Sequence, residues 1–245
     1  MTRTLDIVIP MAGRGSRFSK AGYQLPKPLI DVGGKPMIAR VIENLQPRIP
    51  HRFVFLALEE HLEQFGLLEK LKSWAGPQSQ FVSVDTVTEG AACTVLLAKS
   101  VMSAGNDMVI ANSDQIVDFE MSRFIEAARK KNVDGSILVF EDDNEKWSFA
   151  KLDADGFVAE VAEKKRISNL ATVGIYYFRS GQTFVRAAES MIHKNIRVNN
   201  EFYVCPVYNE MIGAKLRIDT MKIEKSAMHG VGTPEDLEAY LGLLA

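Results

Sequence analysis

The feature that most constrains this chain is the alternation, over its first 140 residues, of short apolar, β-branched runs with longer amphipathic ones. Strand-like runs fall at residues 5–10, 53–58, 81–84, 108–111 and 136–140, and helix-period runs lie between them at 36–45, 60–73, 91–102 and 119–131. Strand, helix and strand repeated in this way predict a parallel sheet covered by helices on both faces, because each parallel pair needs a crossover long enough to hold a helix. After residue 141 the rhythm changes. Strands over 150–163 and 173–178 come closer together, and Asp153-Ala154-Asp155-Gly156 reads as a hairpin turn between two of them. Helices are expected at 182–193 and 201–212, then a strand at 215–223. The last helix carries its own start signals, with Thr233 as cap, Pro234 at the first position, and Glu235 and Asp236 placing negative charge in the first turn.

Composition narrows what such a sheet can serve. The chain has 245 residues, 29 Lys+Arg against 31 Asp+Glu, and a formal net charge of -2. A chain of this length buries about 70% of its unfolded surface, so it needs neither disulfide nor metal to hold a core. Its charge balance lacks the broad basic footprint of a nucleic-acid binder, so phosphates must be met by a local cluster of cations. Cys93 and Cys205 lie far apart without metal-ligand spacing and are expected as buried, reduced thiols. The N-terminal apolar run is too short for a signal peptide, and no stretch reaches the roughly 18 apolar residues of a membrane span. The expectation is one cytoplasmic domain over 1–245, with no membrane or nucleic-acid partner and with homo-oligomer formation left open.

In an open parallel sheet, ligands bind beyond the carboxyl ends of the strands, so the loop after the first strand matters most. It reads Pro10-Met11-Ala12-Gly13-Arg14-Gly15-Ser16-Arg17-Phe18. Gly13 and Gly15 allow a sharp turn and let amides approach an anion. No Gly-Lys-Ser/Thr follows, so this is no Walker loop, and Phe18 stands where a dinucleotide fingerprint needs its third glycine. A plain tight turn explains the Gly-x-Gly equally well. Further on, Pro26-Lys27-Pro28-Leu29 holds one lysine between two prolines. Alone, Lys27 reads as an exposed loop lysine. With Arg17 it describes a cationic cradle sized for a polyphosphate.

Residues 12–18, followed by Pro26-Lys27-Pro28-Leu29 and Gly34-Lys35-Pro36-Met37-Ile38, resemble the signature of the sugar-1-phosphate nucleotidylyltransferases, or NDP-sugar pyrophosphorylases. The resemblance extends over nearly the whole chain. It implies an α/β, three-layer, Rossmann-like fold, with a mixed, mostly parallel sheet and helices on both faces. Residues 1–140 would form a nucleotide-binding half, 141–230 an acceptor-binding half, and 233–245 a C-terminal helix. The substrates it implies are an NTP and a sugar-1-phosphate, and the cofactor is Mg²⁺, in a pathway such as polysaccharide biosynthesis. Arg17 then serves the pyrophosphate side, Lys27 the α-phosphate and Asp114, in Ala111-Asn112-Ser113-Asp114-Gln115, the metal. Met11, Ala12, Gly13, Arg14, Gly15 and Ser16 surround the nucleotide, with Asp85 and Gly90 toward its base. Ser148, Glu163, Lys164, Gly174, Tyr176 and Glu201 fall to the acceptor.

Two departures stand out. Ser16 replaces the commoner threonine and keeps the hydroxyl. Many relatives carry a second metal-binding aspartate two residues before the Gly-Thr of the closing motif, where this chain has Gly230. His229 beside it is expected on substrate in preference to a hard Mg²⁺. The gap keeps a cytidylyltransferase-type enzyme for a non-sugar phosphate open as an alternative. A glycosyltransferase using an NDP-sugar is another, for which the chain's Asp-x-Asp is Asp153-Ala154-Asp155. A regulatory binder without chemistry is a third.

Overall fold

The computed structural model describes residues 3–103 and 105–244. The chain runs β1 (Leu5–Met11), α1 (Ser16–Lys20), α2 (Met37–Leu45), β2 (His51–Leu58), α3 (Glu59–Gln64), α4 (Leu67–Ala75), β3 (Gln80–Val84), α5 (Ala91–Leu96), β4 (Asp107–Ala111), β5 (Gln115–Val117), α6 (Met121–Lys131) and β6 (Gly135–Glu141). It continues through β7 (Ser148–Leu152), β8 (Val158–Glu163), β9 (Leu170–Phe178), α7 (Gly181–His193), α8 (Val207–Gly213), β10 (Ile218–Lys222), β11 (Met228–Gly230) and α9 (Pro234–Leu244). A nine-stranded sheet has the order β10-β6-β9-β4-β1-β2-β3, with the β7–β8 hairpin joined to β9. Neighbours are parallel except around β9, which runs antiparallel to β4, β6 and β7, and within the antiparallel β7–β8 hairpin. The fold is α/β with a mixed, mostly parallel sheet, and one sheet carries both halves of the chain.

Strand periodicity makes the layers. In β1, Leu5, Ile7, Ile9 and Met11 enter one core with α2 and α6, while Val8 enters the other with α5, α7 and α8. Helix α2 presents Ile38, Val41, Ile42 and Leu45, one turn apart on one face, to the first core. A third, smaller cluster of Phe18, Ile30, Val32, Met37, Ile116, Val231 and Leu237 ties α9 to the loop after β1. The helix start at Thr233 is as expected, for its Oγ1 accepts from the Asp236 amide at 3.1 Å.

Several boundaries differ from the sequence pattern. The run 60–73 is two helices, because Gly66 takes a left-handed φ of 59° between α3 and α4. Beyond Leu96 the run 91–102 tightens into i,i+3 bonds such as Ala98 N to Val95 O. The helix expected from 201 begins at Val207. Asn199 and Asn200 are left-handed, Phe202 exchanges main-chain bonds with Glu89 and Ala92, and Pro206 caps the helix. The periodicity also missed β5 and β11, three residues each, which pair only with one another.

The two cysteines are free, and Cys205 is buried. Cys93 is only half-buried, because α5 turns its neighbours Ala92 and Val95 inward instead. Burial raises both thiols above their ordinary range. Among the described residues no helix is long and apolar enough to cross a membrane.

Candidate active site

At the carboxyl ends of β1 and β4 the sheet opens into a cleft of about 340 Å³. Arg17, Asp114, Ser148, Glu163, Lys164, Gly174 and Tyr176, all singled out in the sequence, line it together. They come from α1, the loops after β4 and β8, and strands β7, β8 and β9, so segments distant in sequence converge on one edge.

On the nucleotide side, only one loop glycine is required by the backbone. Gly15 has φ 62°, and a Cβ there would stand 2.9 Å from Lys27 Cβ. Gly13 has open space where its Cβ would be, which leaves its peptide accessible. Met11 and Ala12 turn their side chains into opposite cores, so only their main chain remains for a ligand. Gly13, Arg14, Ser16 and Arg17 are exposed. Lys27, in a single 3-10 turn (Lys27–Leu29), ion-pairs with the Asp114 carboxylate; the side chains are 20% and 23% exposed. Asp114 in turn has a place because Gly232 is bare. A Cβ on Gly232 would lie 2.6 Å from Asp114 Oδ2, and the Val231 amide donates to the Asp114 carbonyl at 2.9 Å.

On the opposite wall, Ser148 Oγ donates to Glu163 Oε2. Burial still pushes the Glu163 carboxyl above its ordinary range, against the lowering effect of that bond and of Lys164. Lys164 holds a left-handed φ of 51°, an uncommon backbone for lysine, and its amide donates to the Trp147 carbonyl at 3.1 Å. Its Nζ donates to the Tyr203 hydroxyl at 2.7 Å and lies 4.7 Å from the centre of that ring. Gly174 (φ 87°) is obligatory, since a Cβ would fall 2.1 Å from Gln115 Oε1 and 2.4 Å from Asn112 Nδ2. Burial keeps the Tyr176 phenol well above its ordinary range, with its hydroxyl 3.0 Å from Thr172 Oγ1.

Of the residues singled out earlier, Lys27, those at 11–16, Asp85, Gly90 and Glu201 do not line the cleft; Lys27 is tied to it through its ion pair with Asp114. Asp85 is exposed just past β3. Gly90 is explained by packing, because its Cβ would stand 2.5 Å from the Phe202 carbonyl. Glu201 is exposed in the segment that precedes α8.

With this geometry in place, comparison with known proteins is decisive. The profile of the family described as nucleotidyl transferase matches residues 7–222. The chain belongs to the nucleotidyl transferase family. It is 30% identical, over 72% of its length and 48% of the relative's, to the mannose-1-phosphate guanylyltransferase catalytic subunit beta of Drosophila pseudoobscura pseudoobscura. It is 27% identical, over 72% of its length and 40% of the relative's, to the bifunctional protein GlmU of Methanococcus aeolicus. The chain thus spans about half the length of the curated relatives it matches or less. The nucleoside-diphosphate-sugar pyrophosphorylase of Vibrio cholerae RC9 superposes with a TM-score of 0.82 at 27% identity, over 96% of this chain and 99% of that one.

In this member of the family the cleft also contains residues that sequence reasoning passed over: Asn112, Gln115, Lys146, Tyr203, Cys205 and Asp236. Asn112 and Gln115 flank Asp114 in the same post-strand segment, a signal that was present. Asp236 read only as first-turn charge, and nothing local indicates that it faces Asp114's cleft. Gly230 is not enforced by crowding, for a Cβ there would make ordinary contacts at 3.8 Å with Asp236 Oδ2 and 3.9 Å with Trp147. His229 lies outside this cleft, its Nε2 2.9 Å from Asp118 Oδ2. Among the described residues no group of three or more His, Cys, Asp or Glu converges to hold a metal. The fit to a hard cation lies in Asp114, an oxygen donor cradled by a bare glycine. Asp153, of the Asp-x-Asp triplet, instead accepts the Asp155 and Phe157 amides within the β7–β8 turn, away from the cleft.

Proposed function

We propose that this chain is a sugar-1-phosphate nucleotidylyltransferase, converting an NTP and a sugar-1-phosphate into an NDP-sugar and pyrophosphate. One observation carries the reading: Arg17 and Asp114, the latter in an ion pair with Lys27, line one cleft together with Glu163 and Lys164. A phosphomonoester oxygen of the acceptor attacks the α-phosphate. The new P–O bond forms as the bond from the α-phosphorus to the bridging oxygen breaks, and pyrophosphate leaves with that electron pair. No covalent enzyme intermediate is needed, so the work is positioning and charge stabilisation. Lys27 places its ammonium at the α-phosphate, and Arg17 offers its guanidinium to the departing pyrophosphate. Lys164, held by Tyr203, meets the acceptor phosphate, while Glu163 accepts from sugar hydroxyls. Asp114 would hold Mg²⁺, which supplies neutralisation of phosphate charge when bound.

The bare position at Gly230 favours a second reading within the same chemistry, a non-sugar phosphate acceptor. A pyrophosphate-release screen of the four NTPs against sugar-1-phosphates, phosphocholine and polyol phosphates tests both. Turnover with one NTP and a sugar-1-phosphate is the expected result. Release confined to non-sugar phosphates overturns the sugar assignment, and sugar transfer from an NDP-sugar without pyrophosphate release overturns the class.

A further inference from the structure

The strip of main chain at 230–232 is approached by two carboxylates, Asp114 at Gly232 and Asp236 at Gly230. Antiparallel pairing sets Gly230 opposite Gln115 between β11 and β5, and the bond from Val231 to the Asp114 carbonyl holds the strip beside Asp114. Asp114 Oδ2 fills the space a Cβ on Gly232 would need. The first turn of α9 brings Asp236 to Gly230, its Oδ2 3.8 Å from the position of a Cβ there. Both carboxylates line the same cleft. Neither is saturated. Among the described residues Asp236 Oδ1 meets Lys146 Nζ at 3.4 Å and Oδ2 accepts no hydrogen bond, while the Asp114 carboxylate has Lys27 as its cation. Gln115, next to Asp114 in the chain and also in the cleft lining, is nine-tenths buried, and its Oε1 has no partner among the described residues.

We propose that Asp236 is a ligand of a divalent cation shared with Asp114, a hard ion such as Mg²⁺ or Mn²⁺ held through oxygen. The proposal rests on the reading above that Asp114 is a metal ligand. Hard cations of this size take one or two carboxylates and complete their shell with phosphates and waters, and the uncrowded Gly230 leaves room for that shell. A cation between the carboxylates competes with Lys27 for Asp114, which frees the ammonium for a phosphate. Asp236 thus has two tasks: it belongs to the capped first turn of α9 through its amide, and it serves the ion through its side chain.

Tb³⁺ is a suitable probe, because it seeks oxygen ligands and its emission is sensitised by a nearby indole; the Trp147 ring comes within 3.9 Å of the Cβ position on Gly230. Titration of the full chain with Tb³⁺ should give sensitised emission that Trp147→Phe abolishes. Asp236→Asn, which keeps the amide that bonds Thr233, should weaken Tb³⁺ binding at least about tenfold. Adding Gly230→Asp to that variant should restore it, and Gly230→Asp alone should tighten binding without disturbing Asp236. If Asp114→Asn weakens binding while Asp236→Asn and Gly230→Asp leave it unchanged, this inference is overturned and the Asp114 metal reading stands. If none of these variants moves binding, the metal reading itself falls with it.

Discussion

Two carboxylate–cation sites occupy opposite ends of the same strands, and they are built differently. Asp6, near the start of β1, is 1% exposed and lies directly across the sheet from Arg52. It accepts from Arg52 Nε and Nη2, the Ser103 amide and Asn106 Nδ2, at 2.8–3.2 Å. Asp107, at the start of β4, is likewise buried and shared by Arg3 and Arg129. Asp114, beyond the end of β4, meets one lysine, stays 23% exposed and sits against a glycine. The same charge pairing therefore does two jobs. Where every lone pair is used and water is excluded, the pair holds the fold; where donors are scarce and the neighbours are bare, the carboxylate can exchange its cation for a ligand.

Exchanging the partners at each end should separate these jobs. Asp6→Ala removes the acceptor for four donors and should cost about 3 kcal/mol, lowering Tm by roughly 10 °C while kcat per folded molecule holds. A Tm within 2 °C or so of wild type would break the contrast. Lys27→Ala should do the reverse, cutting pyrophosphate release at least about a hundredfold, or roughly 2.7 kcal/mol of transition-state stabilisation, with Tm nearly unchanged. Product made at the wild-type rate would remove Lys27 from the chemistry. Gly232→Ala sharpens the point. Its methyl must displace the Asp114 carboxylate, so turnover should fall about tenfold with little loss of stability, while an intact rate would show Asp114 to be dispensable in its observed position.

The smallest effect concerns Glu163. Burial raises its folded-state pKa above the unfolded value, so folding disfavours its ionised form. The wild-type stability is fully present below the unfolded carboxylate range and is lost as pH rises through the folded value. Glu163→Gln escapes that loss. Its Tm should gain on wild type as pH rises through and above the ordinary carboxylate range, and a gap that shrinks with rising pH would mean that Ser148 and Lys164 outweigh burial.

Legibility in the sequence followed the range of the forces involved. The apolar run over 5–10 announced a strand, and Thr233-Pro234-Glu235-Asp236 announced a helix start, because these signals live within one strand or one turn. The Asp153–Gly156 turn was equally local. The late start of α8 was not legible, since it depends on Phe202 lending its main chain to residues 89–92. The three-residue strands β5 and β11 were too short to carry a period. Gly174 and Gly232 gave no sign that one makes room for Gln115 and Asn112 and the other for Asp114.

By itself the sequence determined the layered α/β architecture, the loop that offers Arg17 and Lys27, and the membership of a family, because hydrophobic period, turn chemistry and motif spacing are written in consecutive residues. Only the tertiary structure decided which carboxylates are saturated and which stay open, and that Asp236 reaches Gly230. Those outcomes depend on strands β5 and β11 meeting across more than 100 residues of chain, and no local propensity encodes a meeting of that kind.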